Sequence, residues 1–94
     1  KLIKHFIKNK QWDFLMSVEM GVDRIHHYMW SYIDNAHPKF QGIDNPHKNC
    51  VQEYYEYIDK ELGEILNILP DDCAVMVVSD HGAKAMQGMF LINE

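Results

Sequence analysis

Two short stretches of this chain carry residues suited to metal chemistry. The first runs Asp23-Arg-Ile-His-His27, and the second runs Ser79-Asp-His-Gly82. Each supplies a carboxylate and an imidazole: Asp23 with His27, and Asp80 with His81. Such ligands suit Zn²⁺, Mn²⁺ or iron, and no cysteine lies close enough in sequence to suggest a structural zinc cage. Asp23 and His27 are four positions apart, one turn along one face of a helix, so both side chains can reach a single ion. Asp80 and His81 are adjacent, and neighbours in a straight strand point to opposite faces. They can serve one site only where the backbone bends, and Gly82 makes a bend easy. Two ions ~4 Å apart would clamp the attacking and leaving oxygens of a phosphoryl displacement.

These residues need elements to position them. Leu2, Ile3, Phe6 and Ile7 recur at helical spacing among Lys1, Lys4 and Lys8, which predicts a short amphipathic helix closed by Asn9-Lys10. Phe14-Leu-Met-Ser-Val18 is apolar on both faces, as a central parallel strand would be. Gly21 then serves as a hinge, and Asp23 is placed to cap a second helix with Ile25, Met29 and Ile33 facing inward, flanked by Trp30. The two prolines and one glycine between Asn35 and Pro46 predict a loop long enough to be functional. Asn45 as N-cap and Pro46 at the first helical position would start a third helix. Its apolar stripe runs Val51, Tyr55, Ile58, Leu62, Ile65, Leu66 and Leu69, and Gly63 weakens its interior by about 1 kcal/mol relative to Ala. Pro70-Asp-Asp72 ends it, and Cys73-Ala-Val-Met-Val-Val78 reads as a second buried strand. Strands separated by helices predict an α/β fold with a parallel sheet and a right-handed crossover. Ligands of such sheets gather beyond the carboxyl ends of the strands, where both Asp/His pairs would fall.

Bulk properties narrow the field. The 94 residues suffice for one small core, and residues 1–94 read as a single partial α/β domain cut from a longer protein. A net charge of −5 argues against a duplex nucleic-acid partner, which needs clustered Lys and Arg. An acidic chain can still act on phosphate when metal ions supply the positive charge. No apolar run approaches the ~20 residues of a membrane span. Cys50 and Cys73 fit no paired-cysteine motif and read as buried free thiols, which favours a reducing, cytoplasmic compartment without fixing it. Apolar strand faces left uncovered in such a piece would invite a second copy of the chain.

Each candidate has a plainer reading. Alone, Asp23 is a helix cap, His27 a partly exposed surface histidine, and Asp80 a cap for the next turn. The two pairs together favour the metal. His26 reads as a supporting or surface residue. Glu19 is either a group that orients a ligand or a solvated turn residue. Arg24 could contact a phosphate, with an ordinary ion pair to Asp23 as its plainer reading, and Lys84 could meet an anionic substrate, with surface solvation as its plainer reading. His5, His37 and His47 fit the surface. Trp30, Tyr32, Tyr54, Tyr55 and Tyr57 fit packing and helix surface better than a base-stacking platform.

Val77-Val-Ser-Asp-His-Gly-Ala83 and Met20-Gly-Val-Asp-Arg-Ile-His-His27 resemble the alkaline phosphatase superfamily. The likeness is closest to its type I phosphodiesterase/nucleotide pyrophosphatase branch. It extends through Cys50 to Leu69 and Gly88 to Glu94. The resemblance implies an alkaline phosphatase-type α/β sandwich with two divalent metal ions, zinc first and manganese second. Asp23 and His27 would hold one ion, and Asp80 and His81 the other. The substrate would be a phosphate-ester small molecule or a nucleotide. The family's nucleophile is an upstream Thr or Ser beside another metal-binding Asp, and a further His ligand lies downstream. This chain has no Thr, and Ser17, Ser31 and Ser79 do not match the nucleophile's position. The expectation is therefore a hydrolase of phosphodiester or nucleotide pyrophosphate bonds, represented by a segment inactive on its own. A phosphomonoesterase, phosphonate hydrolase, sulfatase or phosphomutase of the same superfamily is the neighbouring reading. A sulfatase, with its calcium-type carboxylate site, suits the two histidines less well. A non-catalytic α/β interaction module, with the acidic third helix as its docking face, is the reading from another class.

Overall fold

A computed structural model describes residues 1–86. Its elements are three helices, α1 (Leu2–Asn9), α2 (Gly21–Ile33) and α3 (Cys50–Leu66). The helices follow the apolar spacing. Ile3 and Ile7 of α1 are half-buried, as are Ile25, Met29 and Ile33 of α2 and Ile58 and Ile65 of α3. Lys4 ties α1 to α3 by donating to Glu61 Oε2 at 2.8 Å and Glu64 Oε2 at 2.7 Å. The pairing raises the Lys4 pKa and lowers that of Glu64, chiefly through those hydrogen bonds. Solvent reaches the pair, so its contribution is small.

The α2 and α3 helices pack on each other and frame the molecule. Between them His26 is a hinge of aromatic contacts, edge-on to Trp30 at 5.3 Å and tilted over Tyr55 at 5.8 Å, with the Tyr55 hydroxyl 3.3 Å from Nε2. The α2 helix closes where Asp34 accepts Trp30 Nε1 on one oxygen and the Ala36 amide on the other, both at 2.9 Å.

The start of α3 differs from the expectation. It begins at Cys50 rather than at Pro46, and Asn45 is not its cap. Asn45 is instead buried in the preceding turns. Its amide donates to the carbonyls of Tyr32 and Gly42, and its Oδ1 accepts the His47 amide. An Asn side chain that satisfies three backbone groups holds a loop against a helix end more firmly than it caps a helix. Gly42 turns this loop at φ +89°, a backbone region that side chains resist. The far end of α3 also falls short of Leu69. Tightened turns follow Leu66, with Ile68 N donating to Ile65 O and Leu69 N to Leu66 O.

The parallel sheet expected from Phe14–Val18 and Cys73–Val78 is absent among the described residues. Both segments lack regular structure, and no backbone hydrogen bond joins them. A strand exists only where a neighbour satisfies its N–H and C=O groups, and neither segment is that neighbour for the other. Their apolar side chains stay in water: Phe14 and Val77 are each 80% exposed. The core is correspondingly thin, with Val51 and Ala85 the only buried apolar residues described. The radius of gyration is 17.9 Å, against about 12 Å for a compact domain of this length. No helix among the described residues is long and apolar enough to cross a membrane. Cys50 and Cys73 are free and half-buried rather than fully buried.

Candidate metal centre

Asp23 lies in the first turn of α2, but it is not the cap. Met20 holds the N-cap position and makes no side-chain cap bond. A carboxylate in the first turn still meets the positive end of the helix dipole. Asp23 Oδ1 comes 3.4 Å from His27 Nε2, one turn along the same face. Two ligands on one tetrahedral zinc, each ~2.0–2.1 Å from it, are about 3.3 Å apart, so this pair has the separation of co-ligands.

The second couple arrives on a bend at Asp80 rather than on a strand end. The Ser79 hydroxyl donates to the His81 carbonyl at 2.6 Å across that bend. His81 Nδ1 lies 2.8 Å from the Gly82 carbonyl, a contact that requires the proton on Nδ1. That bond fixes the tautomer and leaves the Nε2 lone pair free to bind. Nε2 faces two carboxylates, Asp80 Oδ1 at 3.7 Å and Asp23 Oδ1 at 4.0 Å. A lone pair between two anions is repulsive until a proton or a cation stands among them. The Gly82 carbonyl first, then the Asp80 and Asp23 charges, push the His81 pKa above its ordinary 6.5.

Asp23 is thus the common member, within 4.0 Å of an imidazole nitrogen from each stretch. Side-chain exposure runs from 50% for Asp23 to 89% for Asp80, so the donors open to solvent. Among the described residues no group of three or more His, Cys, Asp or Glu is arranged to hold a metal ion. The donor types suit a divalent metal, but the described residues do not assemble into a metal-holding group. His5, His37 and His47 take no part: His37 accepts the Lys39 amide, and His47 stacks edge-on with Tyr32.

Sequence reasoning left Glu19 undecided and missed Tyr54. Glu19 Oε1 accepts the Gly21 amide at 2.6 Å and the Tyr54 hydroxyl at 3.0 Å. The Gly21 amide is one of the orphan donors at the start of α2, so Glu19 does the work of a cap from one residue outside it. Desolvation and the Glu19 carboxylate raise the Tyr54 pKa above 10.0. Gly21 is the first residue of α2. A Cβ there would run into the Tyr54 hydroxyl and Glu19 Oε1, so a larger residue would force both side-chain ends to shift. No periodicity signals an approach between residues 35 positions apart.

Proton competition at His81 has a measurable sign. A metal bound at Nε2 would have to displace any proton there, so its apparent affinity would fall as pH drops through the raised pKa, by about tenfold per unit for each proton displaced. Zinc titrations of the intact protein from pH 6 upward should show affinity rising with pH and levelling off only beyond the raised His81 pKa. A flat profile would count against His81 as a ligand.

Carboxylate and imidazole donors are the ligand types that hydrolytic metal enzymes use. The family model for type I phosphodiesterase / nucleotide pyrophosphatase matches residues 1–94, and the chain belongs to that family. Its members are hydrolases of alkaline phosphatase-type fold that generally use two metal ions. Comparison with curated proteins and with solved structures finds no match.

Proposed function

We propose that this chain supplies part of the two-metal site of an enzyme hydrolysing phosphodiester or nucleotide pyrophosphate bonds. Asp23 and His27 hold one divalent ion, Asp80 and His81 the other, with zinc as the metal in use and manganese as its substitute. The observation that carries this reading is Asp23 Oδ1, which stands 3.4 Å from His27 Nε2 and 4.0 Å from His81 Nε2. When bound, two such ions supply Lewis-acid stabilisation of the charge that develops on phosphorus-bound oxygens.

The chain's own residues do the rest of what it contributes. The helix turn sets Asp23 and His27 on one face. The Gly82 carbonyl holds the His81 ring at Nδ1 with Nε2 free, and the Ser79 hydroxyl bonds the His81 backbone carbonyl. The absence of Thr and the position of Ser79, whose hydroxyl is engaged by the His81 carbonyl, leave this segment without a nucleophile. The attacking hydroxyl and the remaining ligands belong to other parts of the catalytic domain, and the segment alone is inactive.

The test is hydrolysis of bis-p-nitrophenyl phosphate by the intact protein. Asp80→Ala and His81→Ala should each lower kcat/KM by about a hundredfold or more, since a metal ion contributes several kcal/mol to such a transition state. Full activity in both variants rejects the assignment.

A further inference from the structure

Asp23 is only as well placed as the start of α2, and that start has an unusual anchor. Met20, the N-cap residue, makes no side-chain cap bond. The Gly21 amide is held instead by Glu19 Oε1, and the same oxygen receives the hydroxyl of Tyr54 from α3. Gly21 has no side chain, and any Cβ would strike both partners. These contacts join α3 to the turn that carries Asp23. The acceptor is a carboxylate, which the N-terminal dipole of α2 also favours.

We propose that Tyr54 and Glu19 are positioning residues for the metal centre, fixing the first turn of α2 so that Asp23 meets both His27 and His81. This rests on the metal reading above. Neither residue touches the donor atoms. Tyr54 stops the Glu19 carboxylate from turning into solvent. Glu19 stops the Gly21 amide from fraying, and the first turn then keeps Asp23 within 4.0 Å of His81 Nε2.

Tyr57 provides an internal control. Its ring lies 6.1 Å from that of Tyr54, on the same stretch of α3, but no bond to Glu19 is made from it. The experiment uses the intact protein freed of metal and titrated with Co²⁺, read by visible absorption. Nitrogen–proton correlation spectra are recorded on the metal-free samples. Tyr54→Phe should weaken Co²⁺ binding about tenfold, as loss of an outer hydrogen bond does at metal sites. It should also shift the Gly21 and Asp23 amides and the His27 ring before any metal is added. Tyr57→Phe should change neither. Glu19→Gln keeps an oxygen for both donors and should bind within about threefold of wild type, whereas Glu19→Leu should match or exceed the Tyr54→Phe loss. A wild type that takes up no Co²⁺ overturns the metal reading and this inference with it. A wild type that binds, alongside a Tyr54→Phe variant with unchanged affinity and unshifted Asp23 and His27 signals, overturns this inference alone.

Discussion

Asp23→Asn should abolish most activity of the intact protein while leaving its helices in place. The substitution keeps size and shape and removes one charge. If Asp23 served only the dipole of α2, the cost would be a stability loss of about 0.3–1 kcal/mol and no loss of rate. We propose a larger role for it as a metal ligand. Its Oδ1 is the atom shared between the two stretches, 3.4 Å from His27 Nε2 and 4.0 Å from His81 Nε2. In that proposed role, losing the charge would weaken a ligand whose position serves both couples, and the expected fall in kcat/KM is about a thousandfold, or ~4 kcal/mol. The loss should appear together with a loss of bound metal, and circular dichroism should be unchanged. An Asp23→Asn protein that keeps its rate and melts about 1 kcal/mol earlier would return Asp23 to the helix-dipole role.

The second large effect concerns Val77→Asp, whose sign should depend on context. In the described chain Val77 is 80% exposed, in a run where Met76 and Val78 are equally bare. Placing a charge there costs the isolated segment nothing and should raise its solubility, because contiguous exposed apolar surface drives association. In the intact protein we expect the same run to lie in a sheet. Burying an unpaired carboxylate in place of a packed Val costs several kcal/mol there. Soluble yield and melting temperature of the intact Val77→Asp protein should therefore collapse, while the 94-residue segment stays in solution longer than its parent. Equal tolerance in both settings would mean that this run is never covered.

The same contrast explains what could be read from the sequence and what could not. Helices make their own backbone bonds, so the spacing of Leu2, Ile3, Phe6 and Ile7, or of Ile25, Met29 and Ile33, is enough to specify them. The ends were harder. Asn45 and Pro46 have the composition of a helix start, but the Asn45 side chain is drawn to the Tyr32 and Gly42 carbonyls, and α3 begins at Cys50. Strands depend on partners, and the pattern of Cys73–Val78 says only that a strand would be favourable if another lay beside it. The expected sheet is therefore missing among the described residues, although the chain belongs to a family of alkaline phosphatase-type fold. The apolar run from Met89 to Ile92, included in the resemblance, lies outside the described residues.

For the candidate site, residue type and spacing singled out Asp23, His27, Asp80 and His81. The helix turn pairing Asp23 with His27 and the bend at Asp80 were expected, whereas the strand ends that were to carry them are missing among the described residues. The first turn of α2 and a bend at Asp80 bring them together, without strand ends. The Gly82 bond that aims the His81 ring and the Ser79 bond to the His81 backbone carbonyl are local and within reach of a careful reading of Ser-Asp-His-Gly. The Tyr54–Glu19–Gly21 contact is long-range and was not, because nothing in a single sequence reports which tyrosine of α3 approaches a glycine 33 positions earlier.

The most direct test follows activity and metal content together. The intact protein is stripped with a chelator, assayed on bis-p-nitrophenyl phosphate, and reloaded with zinc while metal is counted by mass spectrometry. The account predicts that hydrolysis disappears with the metal, returns with zinc, and does not return in Asp23→Asn. Undiminished hydrolysis by a protein shown to hold no divalent metal would contradict it.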